Sequence, residues 1–156
     1  MKVENVNSFV QGAQSTLSAI CGEGGKLGKL FVKNPPYSPQ DVSIVIGIVG
    51  ELKGEVIFAM DTNCGLYLAS RVMMGMNVPE MNDIAKSAIS ELANMISGNA
   101  AASLFSAGVT VDITPPVFIP SSETDKFNFV KPGDKVICLP LTLPSNQILE
   151  IGLHIS

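Results

Sequence analysis

Positions 87 to 100 read SAISELANMISGNA, a run of small and apolar residues that holds one carboxylate, Glu91, and one carboxamide, Asn94, three positions apart. The carboxylate offers a full negative charge, and the carboxamide offers an acceptor and two donors in one planar group. No histidine and no metal-ligand cluster stands nearby to make a triad or a metal centre of them. At about 100° per residue, Ser87, Glu91, Asn94 and Gly98 follow an i, i+4, i+7, i+11 spacing and line a single ridge. Ile84, Ala85, Ala88, Ile89, Leu92, Ala93, Ile96 and Ala100 sweep the other half, which should face a core. A polar face alone is most often a solvated stripe. Asn is a poor helix-interior residue and Gly costs ~1 kcal/mol there relative to Ala, so helix stability does not choose Asn94, Gly98 or Asn99. A glycine on the polar ridge also removes bulk where another backbone can approach, which suits a docking surface.

The elements that must position this ridge can be read on either side of it. Val6, Val10, Ala13, Leu17 and Ile20 recur at helical spacing until the glycines at 22, 24 and 25 stop the pattern, so the chain should open with a helix. Leu30–Val32, the β-branched run Val42–Val49, and Val56–Met60 predict three strands in an antiparallel meander, the last two joined by a tight turn at Lys53-Gly54. Asp61 or Thr62 can cap a short helix through Met74, and Asn82 or Asp83 a longer one ending at Ala107-Gly108. Val109–Ile113, Val136–Leu143 and Ile148–Ile155 supply three further strands, with Pro140 and Pro144 pointing to an edge or a bulge in the middle one. The order α-βββ-αα-βββ predicts an α+β fold, an antiparallel-rich sheet packed with helices. The stretch from Pro120 to Gly133 is the expected mobile loop, with a decorated hairpin as the alternative.

Composition narrows the function. The chain's 156 residues, 46% of them hydrophobic, suit one domain over residues 1–156. Ten basic residues against 14 acidic give a net charge of −4, which leaves no broad cationic surface for nucleic acid. MKVENVNSF lacks the apolar core of a signal peptide, and no run approaches the ~18 apolar residues of a membrane span, so a cytoplasmic protein is expected. Cys21, Cys64 and Cys138 read as buried thiols. GEGGKLGK, from Gly22 to Lys29, follows a helix and has no Ser or Thr after Lys29, so it reads as a turn rather than a phosphate loop. His154, the only histidine, has no triad or metal partner visible in the sequence and reads as structural. Met73, Met74, Met76, Met81 and Met95 fit either core filling or an adaptable contact surface.

Taken with the proline pair in VDITPPVFI, the helix resembles the CheC/CheX/FliY phosphatase family. That signature is Asp or Ser, three residues, Glu, two residues, Asn, then a proline some twenty residues on. Here it falls on Ser87, Glu91, Asn94 and either Pro115 or Pro116. The one-site pattern, the lead-in GMNVPEMNDIAKSAISELANMISGNA and the segment VDITPP most resemble the CheX members, and the element order agrees along nearly the whole chain. On the opening helix, Asn7, Gln11 and Gln14 repeat the spacing without the charge, a degenerate echo best read as a solvated face.

The resemblance implies a cytoplasmic chemotaxis phosphatase that hydrolyses the aspartyl phosphate of a CheY-like response regulator. Asn94 would position the attacking water, and Glu91 would pair with the partner's active-site lysine. Ser87 and Gly98 would lie at the partner contact, and Pro115 and Pro116 would support the helix structurally. The chain itself would hold no metal or cofactor, with Mg²⁺ supplied by the receiver domain. It also implies a homodimer built by strand association, for which Ile148–Ile155 is the expected edge. The alternative is a non-enzymatic adaptor that only binds the phosphorylated receiver.

Overall fold

The computed structural model describes residues Met1–Ser156. The elements run α1 (Val3–Cys21), β1 (Lys26–Leu27), β2 (Phe31–Lys33), β3 (Val42–Gly50), β4 (Gly54–Met60), α2 (Thr62–Val72) and α3 (Asp83–Ser106). They continue with β5 (Val111–Ile113), β6 (Val117–Pro120), a 3₁₀ turn (Thr124–Phe127), β7 (Val136–Thr142) and β8 (Ile148–Ile155). All strands join one antiparallel sheet in the order β1-β7-β8-β4-β3-β5, with β2 also on β7 and β6 also on β3. The expected α+β architecture holds.

Three details differ from the expectation. Two short strands, β1 and β6, join the six expected ones, because β1 forms where the glycine-rich turn meets β7 and β6 where the chain returns to β3 after its prolines. The first three strands are not a meander, since β2 pairs with β7 rather than β3. Ile148–Ile155 is no edge, because β8 lies between β7 and β4 and its middle residues are buried on both faces. The free edges belong to β1–β2 and β5–β6.

Pro140 sits where the proline rule predicts irregularity. Opposite it the neighbouring chain leaves β1 at Leu27 and re-enters as β2 at Phe31, so three residues face two across the break. A residue without an N–H is tolerated there, and its carbonyl still accepts from Gly28 N at 2.8 Å.

The helices cover one face of the sheet. Ile44, Ile46 and Ile48 of β3 alternate inward with Val56, Phe58 and Met60 of β4 to meet Phe9, Leu17, Leu68, Ile89, Leu92 and Ile96. A smaller core under the other face gathers Tyr37, Ile57, Ile119, Phe127, Val130, Val136 and Cys138. That core corrects the expected mobility of residues 120–133. Phe127 and Val130 are buried, and Phe127 stacks on Tyr37 with ring centroids 4.8 Å apart.

α3 is held in place from its end and from its side. Asn82 Oδ1 accepts from Ala85 N at 2.9 Å and caps the start, relieving one of the unpaired first-turn donors. α1 packs along α3 closely enough that a Cβ on Gly12 would lie 2.7 Å from Ala100 N. Beside that contact Asn99 Nδ2 donates to Thr16 Oγ1 at 2.7 Å, and Thr16 Oγ1 donates to Gly12 O at 2.8 Å. This backbone-close packing fixes the rotation of α3 about its axis, and with it the direction of every residue on the outer ridge.

Candidate functional site

With α1 and the sheet occupying one side of α3, Ser87, Glu91 and Gly98 are exposed and Asn94 is half-buried beside them. Neither the Glu91 nor the Asn94 side chain takes part in a hydrogen bond or ion pair within the chain. Among the three residues that helix stability would not choose, Asn99 has an internal task, tying α3 to α1. Asn94 has none, and a Cβ on Gly98 would meet nothing within 4 Å. The ridge is open.

Ile84, expected on the core half, is instead 62% exposed. It lies in the first turn at the border of the apolar half, where nothing packs against it. Met95 and Phe105 are also exposed, at 37% and 69%. Of the other methionines, Met74 and Met76 are exposed, while Met73 and Met81 pack half-buried against the core.

The proline pair lies between β5 and β6, which follow one another along β3. Just before it, Thr114 Oγ1 accepts from Gly47 N at 2.8 Å, and Thr114 N donates to Gly47 O at 2.9 Å. A side chain on Gly47 would occupy the Thr114 hydroxyl's place, so the glycine permits this clamp. Lys86, next to Ser87, places its ammonium 5.2 Å from the centre of the Phe118 ring on β6. The prolines thus belong to a segment that braces the beginning of α3.

Neither of the two best-formed clefts is lined by Glu91 or Asn94. A cleft of about 1020 Å³ does open in the molecule, but on the other face of the sheet, among Lys53, Glu55, Phe129, Asp134 and His154. No three His, Cys, Asp or Glu side chains converge as metal ligands.

The family profile described as "Chemotaxis phosphatase CheX" matches residues 42–138, a span that includes α3 and the proline pair. The chain belongs to this family. It is 30% identical to the CheY-P phosphatase CheX of Thermotoga maritima, covering 100% of this chain and 97% of that one. The CheX of the CheX-CheY-BeF3-Mg²⁺ complex from Borrelia burgdorferi superposes with a TM-score of 0.79 at 25% identity, covering 99% of each chain. A CheC-like superfamily protein from Shewanella shares the fold with a TM-score of 0.78 at 22% identity, over 100% of this chain and 99% of its own.

Within this CheX-family fold, the echo on α1 is largely consumed by internal bonds. Gln14 Nε2 donates to Gly25 O at 3.2 Å, and Gln11 Oε1 accepts from Ser103 Oγ at 3.2 Å, leaving Asn7 free on the surface. That reading as a solvated face therefore holds only in part.

On the opposite face the sequence left a cluster unseen. His154 Nδ1 lies 3.0 Å from Glu55 Oε1 and Nε2 lies 2.8 Å from Asp134 Oδ2, so a carboxylate occupies each ring nitrogen. Asp134 Oδ2 also accepts from Lys131 N at 2.9 Å. That backbone donor, and next His154, hold the Asp134 carboxyl below its ordinary value. The register that sets Glu55 opposite His154 across β4 and β8 was the missing signal. Nearby, Lys33 Nζ pairs with the buried Glu150 at 3.0 Å. Burial pushes the Cys138 thiol up to about 11 and the Cys64 thiol up to about 12, so neither is a thiolate at neutral pH. Cys21, expected buried, is only half so.

No helix is long and apolar enough to cross a membrane.

Proposed function

We propose that this chain hydrolyses the aspartyl phosphate of a CheY-like response regulator in the cytoplasm as part of chemotaxis signalling. One observation carries the reading: Glu91 and Asn94 stand on an open helix ridge, unbonded within the chain, at the spacing of the family signature. Support for the partner comes from the relatives, one named as a CheY-P phosphatase and one crystallised with CheY, BeF3 and Mg²⁺.

The division of labour follows from the chemistry. An acyl phosphate has a good leaving group, and the receiver brings Mg²⁺ and an acidic pocket, so the missing component is a water held in line with phosphorus. The Asn94 carbonyl oxygen accepts a hydrogen bond from that water while its N–H groups donate to the phosphoryl oxygens, the positioning part that a glutamine plays in some GTPases. Glu91, one turn away, pairs with the receiver's lysine and sets the depth of entry, and the pair strengthens as the interface excludes water. Ser87 and Gly98 extend the contact, Gly98 by leaving room for the partner's backbone. Pro115 and Pro116 keep the β5–β6 segment braced against α3. The chain works as a single domain.

We also propose a homodimer by strand association at the β1–β2 edge. Leu27, Leu30, Phe31 and Val32 are exposed there, and the outer side of both strands is unpaired.

The test is turnover. A substoichiometric amount of this protein should discharge many equivalents of a phosphorylated CheY-like receiver in Mg²⁺ and none after chelation of the metal. Stoichiometric binding without faster phosphate loss would establish the adaptor instead.

A further inference from the structure

Asp83, in the first turn, and Glu91 are the two charged residues among the exposed positions of α3, and Glu91 is the one beyond that turn. A solvated helix face normally spreads several charges over such a length. The exposed positions here hold instead Ile84, Met95 and Phe105, with Gly98 and Ala102 as low ground between them. Charge depletion with methionine and aromatic enrichment is the composition of the buried centre of a protein interface. The three apolar residues fall within about 80° of one another around the helix axis, with Glu91 inside that sector and Asn94 about 20° beyond its edge.

Their placement along the axis names the occupant. Asn94 lies ten residues after Ile84 and eleven before Phe105, about 15 and 16 Å at the helical rise. The span of about 31 Å is the width of a small domain, with the hydrolytic amide at its middle. A second copy of this chain would have no reason to centre on Asn94, whereas a receiver whose phosphoryl group sits over Asn94 reaches both ends.

We infer that Ile84, Met95 and Phe105 are apolar anchors that seat the phosphorylated receiver domain on α3, fixing its affinity rather than the rate of the chemical step. The inference rests on the phosphatase reading above and assigns the partner-recognition part of that same ridge. Met95, one turn from Glu91, lies under the centre of the footprint, where a buried contact excludes water from the carboxylate's ion pair. Ile84 and Phe105 grip its two margins.

The experiment is steady-state dephosphorylation of a CheY-like receiver by the wild type, by I84A/F105A and by M95A, together with binding to the receiver charged with beryllium fluoride. The positions are exposed, so melting temperatures should stay at the wild-type value. The double variant should raise KM and the Kd for the beryllofluoride form about tenfold or more with kcat within twofold, M95A should raise both about fivefold, and I84A/F105L should recover much of the I84A/F105A loss. KM and Kd within twofold of wild type for both variants, while the wild type still turns over, would overturn the anchors and leave the phosphatase reading standing. No turnover by the wild type would sink that reading itself. A variant that changes the oligomeric state in sedimentation while leaving Kd unchanged would assign the face to a second copy of the chain and overturn the inference.

Discussion

On the sheet face away from the helices, Glu55 and Asp134 flank the His154 ring and Glu150 is paired with Lys33, whereas on the outer ridge of α3 the side chains of Glu91 and Asn94 make no hydrogen bond or ion pair with their own chain. The two regions use similar side chains for different ends. A polar group bonded internally contributes to the folded state, and removing its partner leaves it desolvated and unmatched. A polar group that faces solvent contributes little to stability, so its variants should change what the protein does and leave the fold alone. The same contrast runs along α3 itself, between Asn99, tied to Thr16, and Asn94, tied to nothing.

The largest effect that bears on this contrast is a charge reversal on the ridge. Glu91→Lys would set two like charges together in an interface that excludes water, which costs several kcal/mol. We expect kcat/KM for a phosphorylated receiver to fall about a thousandfold, or about 4 kcal/mol. The melting temperature should move by no more than about 2 °C, as for other exposed substitutions. An equal loss of stability would erase the distinction between the two regions.

Next in size is the seam that orients the ridge. In Gly12→Ala the new methyl must displace backbone of α3 rather than a flexible side chain, and overpacking of this kind costs about 2 kcal/mol. For a chain of this length that is about 6 °C in the thermal midpoint, measurable by circular dichroism. Activity per folded molecule at low temperature should fall as well, because the displaced α3 backbone re-aims the ridge residues.

The smallest effect concerns the sheet face. Asp134 has a depressed carboxyl pKa in the folded protein, so its contribution is present above the ordinary value of 3.8 and is lost as pH falls through the lower folded value. In Asp134→Asn the Lys131 amide, which donates to that carboxylate, should exchange its hydrogen faster than in the wild type at pH 6. Phosphatase activity at pH 7 should not change. A parallel loss of activity would mean that the two faces communicate.

What could be read in advance, and what could not, divides by range. The periodic faces of α1 and α3, the caps at Asn82 and Asp61, and the β-branched run of β3 are local features, and each lies where its own residues place it. The ridge belongs with them, since i, i+4, i+7 is a property of one helix. The pairing of β2 with β7, the central place of β8 and the His154 cluster depend on register between strands far apart in the chain, which no local pattern encodes. In β8, Leu149, Ile151, Leu153 and Ile155 alternate with Glu150, Gly152 and His154, a pattern that marks one buried face and does not separate a central strand from an edge. β1 and β6 were too short to show a period. Ile84 stood at the border between two helix faces, and only the absence of a packing neighbour turned it outward.

The central claim is tested most directly at Asn94, with stability and turnover measured on the same preparation of Asn94→Ala. The account predicts hydrolysis of the receiver's aspartyl phosphate about a hundredfold slower at saturating receiver, with an unchanged melting temperature. Turnover within threefold of wild type, a barrier change below about 0.7 kcal/mol, would contradict it.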